Sequence, residues 1–214
     1  MRGNTPTNDE RGQAYTLEGF IGAMIVLMAL LFALQSVVIT PTTGGLADRT
    51  VQDQIQQEAQ DALLVSTHDG DLSETIRYWD GNSGFEGATD PSAPGEDHNT
   101  YSVSEFNEST LGGVLEERFA DRGWSYNVEL HYEDEGHGPA NSSLVYQGSP
   151  PSDAVTASYT VALYDNQTVT SDPDDNNIGE ETLEGAEDDY EVPIPRVKDD
   201  PQLYNVVEVR VIVW

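Results

Sequence analysis

From Phe20 to Ile39 the chain reads FIGAMIVLMALLFALQSVVI without a single charge, and no later stretch of that length is as apolar. A helix rises about 1.5 Å per residue, so roughly 20 residues cross a hydrocarbon core about 30 Å thick. The pattern predicts one membrane-crossing helix near the N-terminus and a polar domain after Thr40. Pro41-Thr42-Thr43-Gly44-Gly45 then predicts a break, because proline disfavours helix at the residue before it and paired glycines are flexible. Beyond the break, Val51, Ile55, Ala59, Ala62 and Leu63 recur at helical spacing, opposite Gln52, Asp53, Gln56, Gln57 and Gln60. That predicts an amphipathic helix over 48–66 with one face on something apolar.

Asp71 and Glu74 read as a capping box opening a short helix that runs through Trp79 and stops at Gly81. Residues 81–99, rich in Gly, Pro, Ser, Asp and Asn, predict a long loop without a core of its own. Ser109 to Phe119 predicts another helix, with Gly123 placed to stop it. Period-2 alternation follows at Tyr126–Tyr132, Val155–Leu163 and Val207–Val213, which predicts strands with one face on a core. The last strand is apolar on both faces at its end, so it is expected to be central or covered by a partner. The acidic stretch between strands, 165–203, is expected to be loop. Helices first and strands after give an α+β fold. The expected layout is a leader over 1–12, a transmembrane helix over 13–40, a linker over 41–47, and an acidic ectodomain over 48–214 in which the amphipathic helix packs on an antiparallel sheet.

Charge narrows the function classes. The net charge is −30, from 39 acids against 9 Lys and Arg, and Lys198 is the only lysine. Nucleic-acid backbones reward the opposite sign, so no nucleic-acid partner is expected. Abundant Asp and Glu with almost no lysine is similar to proteins of extreme halophiles, where molar salt screens self-repulsion within a few Å. The chain has no cysteine, which removes disulfides, thiolate metal sites and a Cys nucleophile. No G-x-S-x-G, phosphate loop or H-E-x-x-H is present, and with 39 acids some pair falls at any chosen spacing. No enzymatic activity, cofactor, metal or small-molecule substrate is expected. His68 and His98 fall in loops with no partner evident in the sequence, and His131 and His137 flank an acidic run read as a solvated loop. Asp172 to Asn177 starts like a calcium loop but has Asn177 and Leu183 where that loop needs Gly and Glu.

The flanks of the apolar run carry further information. Arg2 and Arg11 precede it and only Arg49 follows closely, which by positive-inside counting places the N-terminus in the cytoplasm and the ectodomain outside. Asn-x-Ser/Thr triplets at Asn107, Asn141 and Asn166 agree with export and are candidates for glycosylation. The run is too long for the core of a secretory signal, and no A-x-A-like site follows it. Arg11-Gly12-Gln13, then Thr16 and Glu18 at the mouth of the helix, resembles the class III signal peptides of archaeal type IV pilin-like and archaellin-like proteins. Relative to Gln13, the hydroxyl residue and the acid stand one place later than in that family. The resemblance, confined to 11–40, implies a prepilin-type peptidase cutting between Gly12 and Gln13, retention of the helix, and pairing of Glu18 with a neighbour's N-terminus. Gly19, Gly22 and Ala23 set small residues on one helix face, as helix packing in a membrane uses. In architecture the domain also resembles a pilin ectodomain, although the PTTGG break departs from an unbroken pilin spine. The expected protein is a membrane-anchored, pilin-like structural or accessory subunit packing with other such subunits. The alternative is a single-span envelope protein that binds a partner through its ectodomain without assembling.

Overall fold

A computed structural model describes residues 8–35, 43–134, 136, 138–171, 178–179, 181–197 and 202–214. The chain divides into two compact units, Met1–Ala47 and Asp48–Trp214. The first contains helix α1, Asn8–Gln35. Helix α2, Thr43–Ser66, begins before the second unit and enters it, so Gly44 and Gly45 are helical where a linker was expected. Pro41 and Thr42 lie outside the described residues, as do Asp172 to Asn177, His137 and Lys198.

In the second unit follow α3 (Asp71–Ile76), α4 (Val103–Phe106), α5 (Thr110–Arg118), β1 (Tyr126–Asp134), β2 (Gly138–Val145), β3 (Val155–Tyr164), α6 (Leu183–Asp189) and β4 (Leu203–Val213). The four strands form one antiparallel sheet in the order β2-β1-β4-β3. The fold is α+β, and β4 is central, as its apolar ends required. Val207, Val209, Val211 and Val213 of β4 are buried together with Val128 and Leu130 of β1. Over that face the core is closed by Ile55, Ala59, Ala62 and Leu63 of α2 and by Trp79, Phe106, Leu115 and Phe119. Val51, expected in the same stripe, is 48% exposed, one helical turn short of the core.

Several local expectations are corrected. Asp71 does not cap α3: the N-cap is Gly70 in the left-handed region, and the helix stops at Ile76. Asp71 instead accepts a 2.7 Å hydrogen bond from Thr110 Oγ1, tying α3 to α5. The capping box lies elsewhere, at Ser102 and Glu105, where Ser102 N donates to Glu105 Oε2 at 2.8 Å and Glu105 N to Ser102 Oγ at 3.3 Å. Ser109 caps α5, and Gly123 closes the turn beyond it with φ 84°. The 81–99 loop does contribute to the core, through Phe85 and Ala93. The acidic 165–203 stretch contains α6, capped by Thr182 and holding Leu183 and Ala186 fully buried.

Both sheet edges are covered over part of their length, which hinders pairing with other chains. Along β3, Gln52, Gln56 and Gln60 of α2 donate to the carbonyls of Asp153, Thr156 and Ser158 at 3.2–3.3 Å. Along β2, the Leu144 carbonyl accepts from Tyr101 N at 2.7 Å, and Glu96 accepts from Ser143 N at 2.9 Å. Pro139, which has no N–H to offer, stands near the start of that edge strand.

Candidate functional site

Helix α1 carries a candidate membrane span, Tyr15–Phe32, none of it buried within the chain. Eighteen helical residues rise about 27 Å, close to the thickness of a hydrocarbon core. Twelve large apolar side chains in this window are exposed, among them Phe32 at 77% and Ile25 at 63%. Leaving them in water forgoes about 1.5–3 kcal/mol each, which favours an apolar surrounding. Apolar residues on every side, with no polar face, are what a span requires and a surface helix lacks.

Arg11, Gly12 and Gln13 lie in the first two turns of α1, so the helix starts ahead of the junction that the leader was expected to end on. Glu18 falls inside the apolar window and is exposed, and so does Thr16. A Cβ added at Gly19 or Gly22 would meet nothing within 4 Å, and Ala23 is exposed, so this small-residue face is open. A carboxylate at membrane depth is costly unless it finds a partner.

Away from the helix, the second unit carries a groove of about 530 Å³. Its wall carries Asp71, Glu74, Glu86, Glu105 and Glu108 around Tyr101. Tyr101 Oη donates to the Glu86 carbonyl at 2.7 Å, and burial pushes this phenol far up. Glu105 is held low by a hydrogen bond from the Thr89 hydroxyl and by Ser102 N–H. Such a wall presents hydrogen-bond acceptors and negative charge.

The histidines are placed unevenly. His98 is not isolated: its Nε2 lies 3.1 Å from Glu96 Oε2 and 3.0 Å from Ser142 Oγ, with Phe85 edge-on at 5.7 Å. Burial works to raise the Glu96 carboxyl, but hydrogen bonds from His98 and Ser143 outweigh it and hold the group low. The same contact with Glu96 raises His98 against the pull of burial, with Ser143 and Asp80 adding to it. His131 pairs with Glu129 at 2.9 Å, and Glu208 with Arg210 at 2.6 Å. Register sets Glu129 opposite Arg210 and His131 opposite Glu208, so each acid faces a basic side chain across β1 and β4. Glu208 is held low, first by its hydrogen bond to Arg210. Among the described residues no group of three or more His, Asp or Glu is arranged to hold a metal ion.

Arg77 is buried, which lowers its pKa, and it donates to Ser73 O at 3.1 Å and to the Thr168 carbonyl, pinning α3 to the strand exit. Arg196 bridges Asp165 and Glu184. The three candidate asparagines are exposed in different settings: Asn107 ends α4, Asn141 lies in β2, and Asn166 follows β3. Sequence reading missed Glu96, the glutamine row and the Ser102 box. Only the last had a readable signal, the S-x-x-E spacing.

These features define a class: an α+β domain carrying an N-terminal helix apolar and long enough to cross a membrane. The chain belongs to a family of unknown function, DUF7288, whose model matches residues 11–213 and so takes in that helix and the sheet together. No curated protein and no solved structure matches it.

Proposed function

We propose that the chain is a pilin-like structural or accessory subunit of an archaeal type IV pilus-like system, anchored in the cell membrane by α1. The N-terminus faces the cytoplasm, the α+β domain faces the outside, and the acidic surface suits a haloarchaeal brine. The observation that carries the reading is an all-round apolar helix, Tyr15–Phe32, standing directly behind Arg11-Gly12-Gln13. In this reading a prepilin-type peptidase cuts after Gly12 on the cytoplasmic side. The cut frees the Gln13 amine, which pairs with Glu18 of a neighbouring subunit and offsets the cost of that acid in the membrane. Gly19, Gly22 and Ala23 let the helices approach, since a face without side chains maximises backbone contact where lipid supplies no hydrophobic drive.

The acidic groove of the second unit favours a second reading, in which the anchored domain binds a cationic partner without forming filaments. Shearing cells of a halophilic host and probing the supernatant separates the two. The assembling subunit is released by shear, and Gly12→Val abolishes the release. A chain that stays with the membrane in both cases supports the second reading.

A further inference from the structure

The three Asn-x-Ser/Thr triplets are alike in sequence and unlike in the fold. A transferase must receive the asparagine amide and the hydroxyl two residues on together, drawn away from the domain. At Asn107 the hydroxyl is committed: Ser109 Oγ donates to Phe106 O at 2.8 Å and accepts from Gly112 N at 3.0 Å, capping α5. At Asn141 both groups are held, because Asn141 Nδ2 and the buried Ser143 hydroxyl each donate to Glu96 Oε1, at 3.3 and 2.9 Å. Presenting either triplet dismantles a helix cap or the covered edge of β2.

Asn166 differs. It is exposed at the turn leaving β3, where Gln167 N bonds back to Tyr164 O at 2.9 Å. Among the described residues neither its amide nor the hydroxyl of the exposed Thr168 has a hydrogen-bond partner. An open cleft of about 520 Å³ lies beside it, walled by Tyr164, Asp165, Thr182, Glu184 and Gln202. Tyr164 is 47% exposed and offers a ring face to the C–H side of a sugar, while the others offer hydrogen-bond donors and acceptors to its hydroxyls.

We propose that Asn166 is the triplet that carries an N-linked glycan in the folded protein, with its first sugar lodged in the Tyr164 cleft. The donor is a lipid-phosphate-linked sugar. Its C1–O bond to phosphate breaks, a bond from C1 to Asn166 Nδ2 forms, one amide proton leaves, and the lipid phosphate departs with the electron pair. The inference rests on the reading that the domain lies outside the membrane.

The test expresses the full chain in a halophilic host that glycosylates its own surface proteins, with intact-mass measurement and glycopeptide mapping. The expected result is a sugar mass increment that disappears in Asn166→Gln and Thr168→Ala, survives Thr168→Ser, and survives Asn107→Gln and Asn141→Gln. A glycan mapped to Asn107 or Asn141 instead overturns the inference. So does an unmodified chain whose domain is cut by protease added outside the cells. A domain protected from that protease overturns the outside placement, and with it both this inference and the anchoring orientation.

Discussion

Gly112 and Gly113 stand side by side in α5, and the structure assigns opposite consequences to the same substitution. A Cβ on Gly112 would fall 1.7 Å from Phe106 O, 2.3 Å from Phe106 C and 2.8 Å from Asn107 N, all backbone atoms of the α4 exit. No side-chain rotation relieves that overlap, so α4 and α5 must part by more than an ångström, and Phe106, 2% exposed, leaves its seat in the core. Overpacking of this kind costs about 1–3 kcal/mol and occasionally more. Replacing Gly by Ala in a helix returns about 0.5–1 kcal/mol. With a backbone overlap this deep at the upper end of that cost, Gly112→Ala is expected to lose about 2–2.5 kcal/mol net, which lowers Tm by about 4–10 °C in a domain of this size. At Gly113 the nearest obstacle is Asn107 Oδ1 at 3.2 Å, the tip of an exposed side chain that can turn away. Gly113→Ala is expected to gain about 0.5–1 kcal/mol, a rise of about 1–4 °C. The assay is thermal unfolding of the full chain in detergent and molar salt, followed by tryptophan fluorescence, to which the buried Trp79 contributes. Equal shifts for the two variants, or a Gly112→Ala protein as stable as the parent, would refute the close α4–α5 approach.

The Glu96–His98 pair predicts a pH window. Glu96 is lowered on folding, so its contribution is present above its unfolded pKa and is lost as pH falls through the lower folded value. His98 is raised, so its contribution is full below the ordinary imidazole value and is lost as pH rises through the higher folded one. Between about pH 5 and 8, Tm of the parent is expected to fall toward the alkaline end more steeply than that of His98→Gln; identical profiles would contradict the pairing. Replacing Gln52, Gln56 and Gln60 together by Ala removes three hydrogen bonds from the β3 edge, each worth about 0.5–1.5 kcal/mol and least where exposed. The triple variant is expected to lose about 1–3 kcal/mol and to self-associate through the freed edge in light scattering. A monomer as stable as the parent would show that the glutamines do not guard that edge.

Where apolar spacing had one dominant period, the sequence was sufficient. The Ile55–Leu63 stripe and the alternation of β1 and β4 bury what their period selects, β3 buries Ala157 and Leu163 and leaves Val155, Tyr159 and Val161 half-buried, and the α1 run is apolar on every side. The centrality of β4 was legible for the same reason, since a strand apolar on both faces cannot face water. β2 was not legible, because GPANSSLV buries Ser142 and Ser143 by hydrogen bonding and lacks apolar alternation. Glu96 and His98 are loop residues, but their strand partners sit about 45 positions away, on a strand that pattern did not reveal. The glutamines read as a wet helix face, since no local signal marks a side chain that donates to a strand about 100 residues on. α6 was hidden by its charge, with only Leu183 and Ala186 pointing inward from an acidic run. Tertiary partners decided each of these, and propensity could not.

The central claim is that α1 is a trimmed and retained membrane helix. It is tested most directly by the mass of the N-terminal peptide of the chain recovered from halophile membranes. The account predicts a mature chain beginning at Gln13 with Tyr15–Phe32 still attached, and an uncut chain beginning ahead of Arg11 for Gly12→Val. A parent chain that keeps its residues ahead of Gly12, or one that begins beyond Phe32, would contradict it.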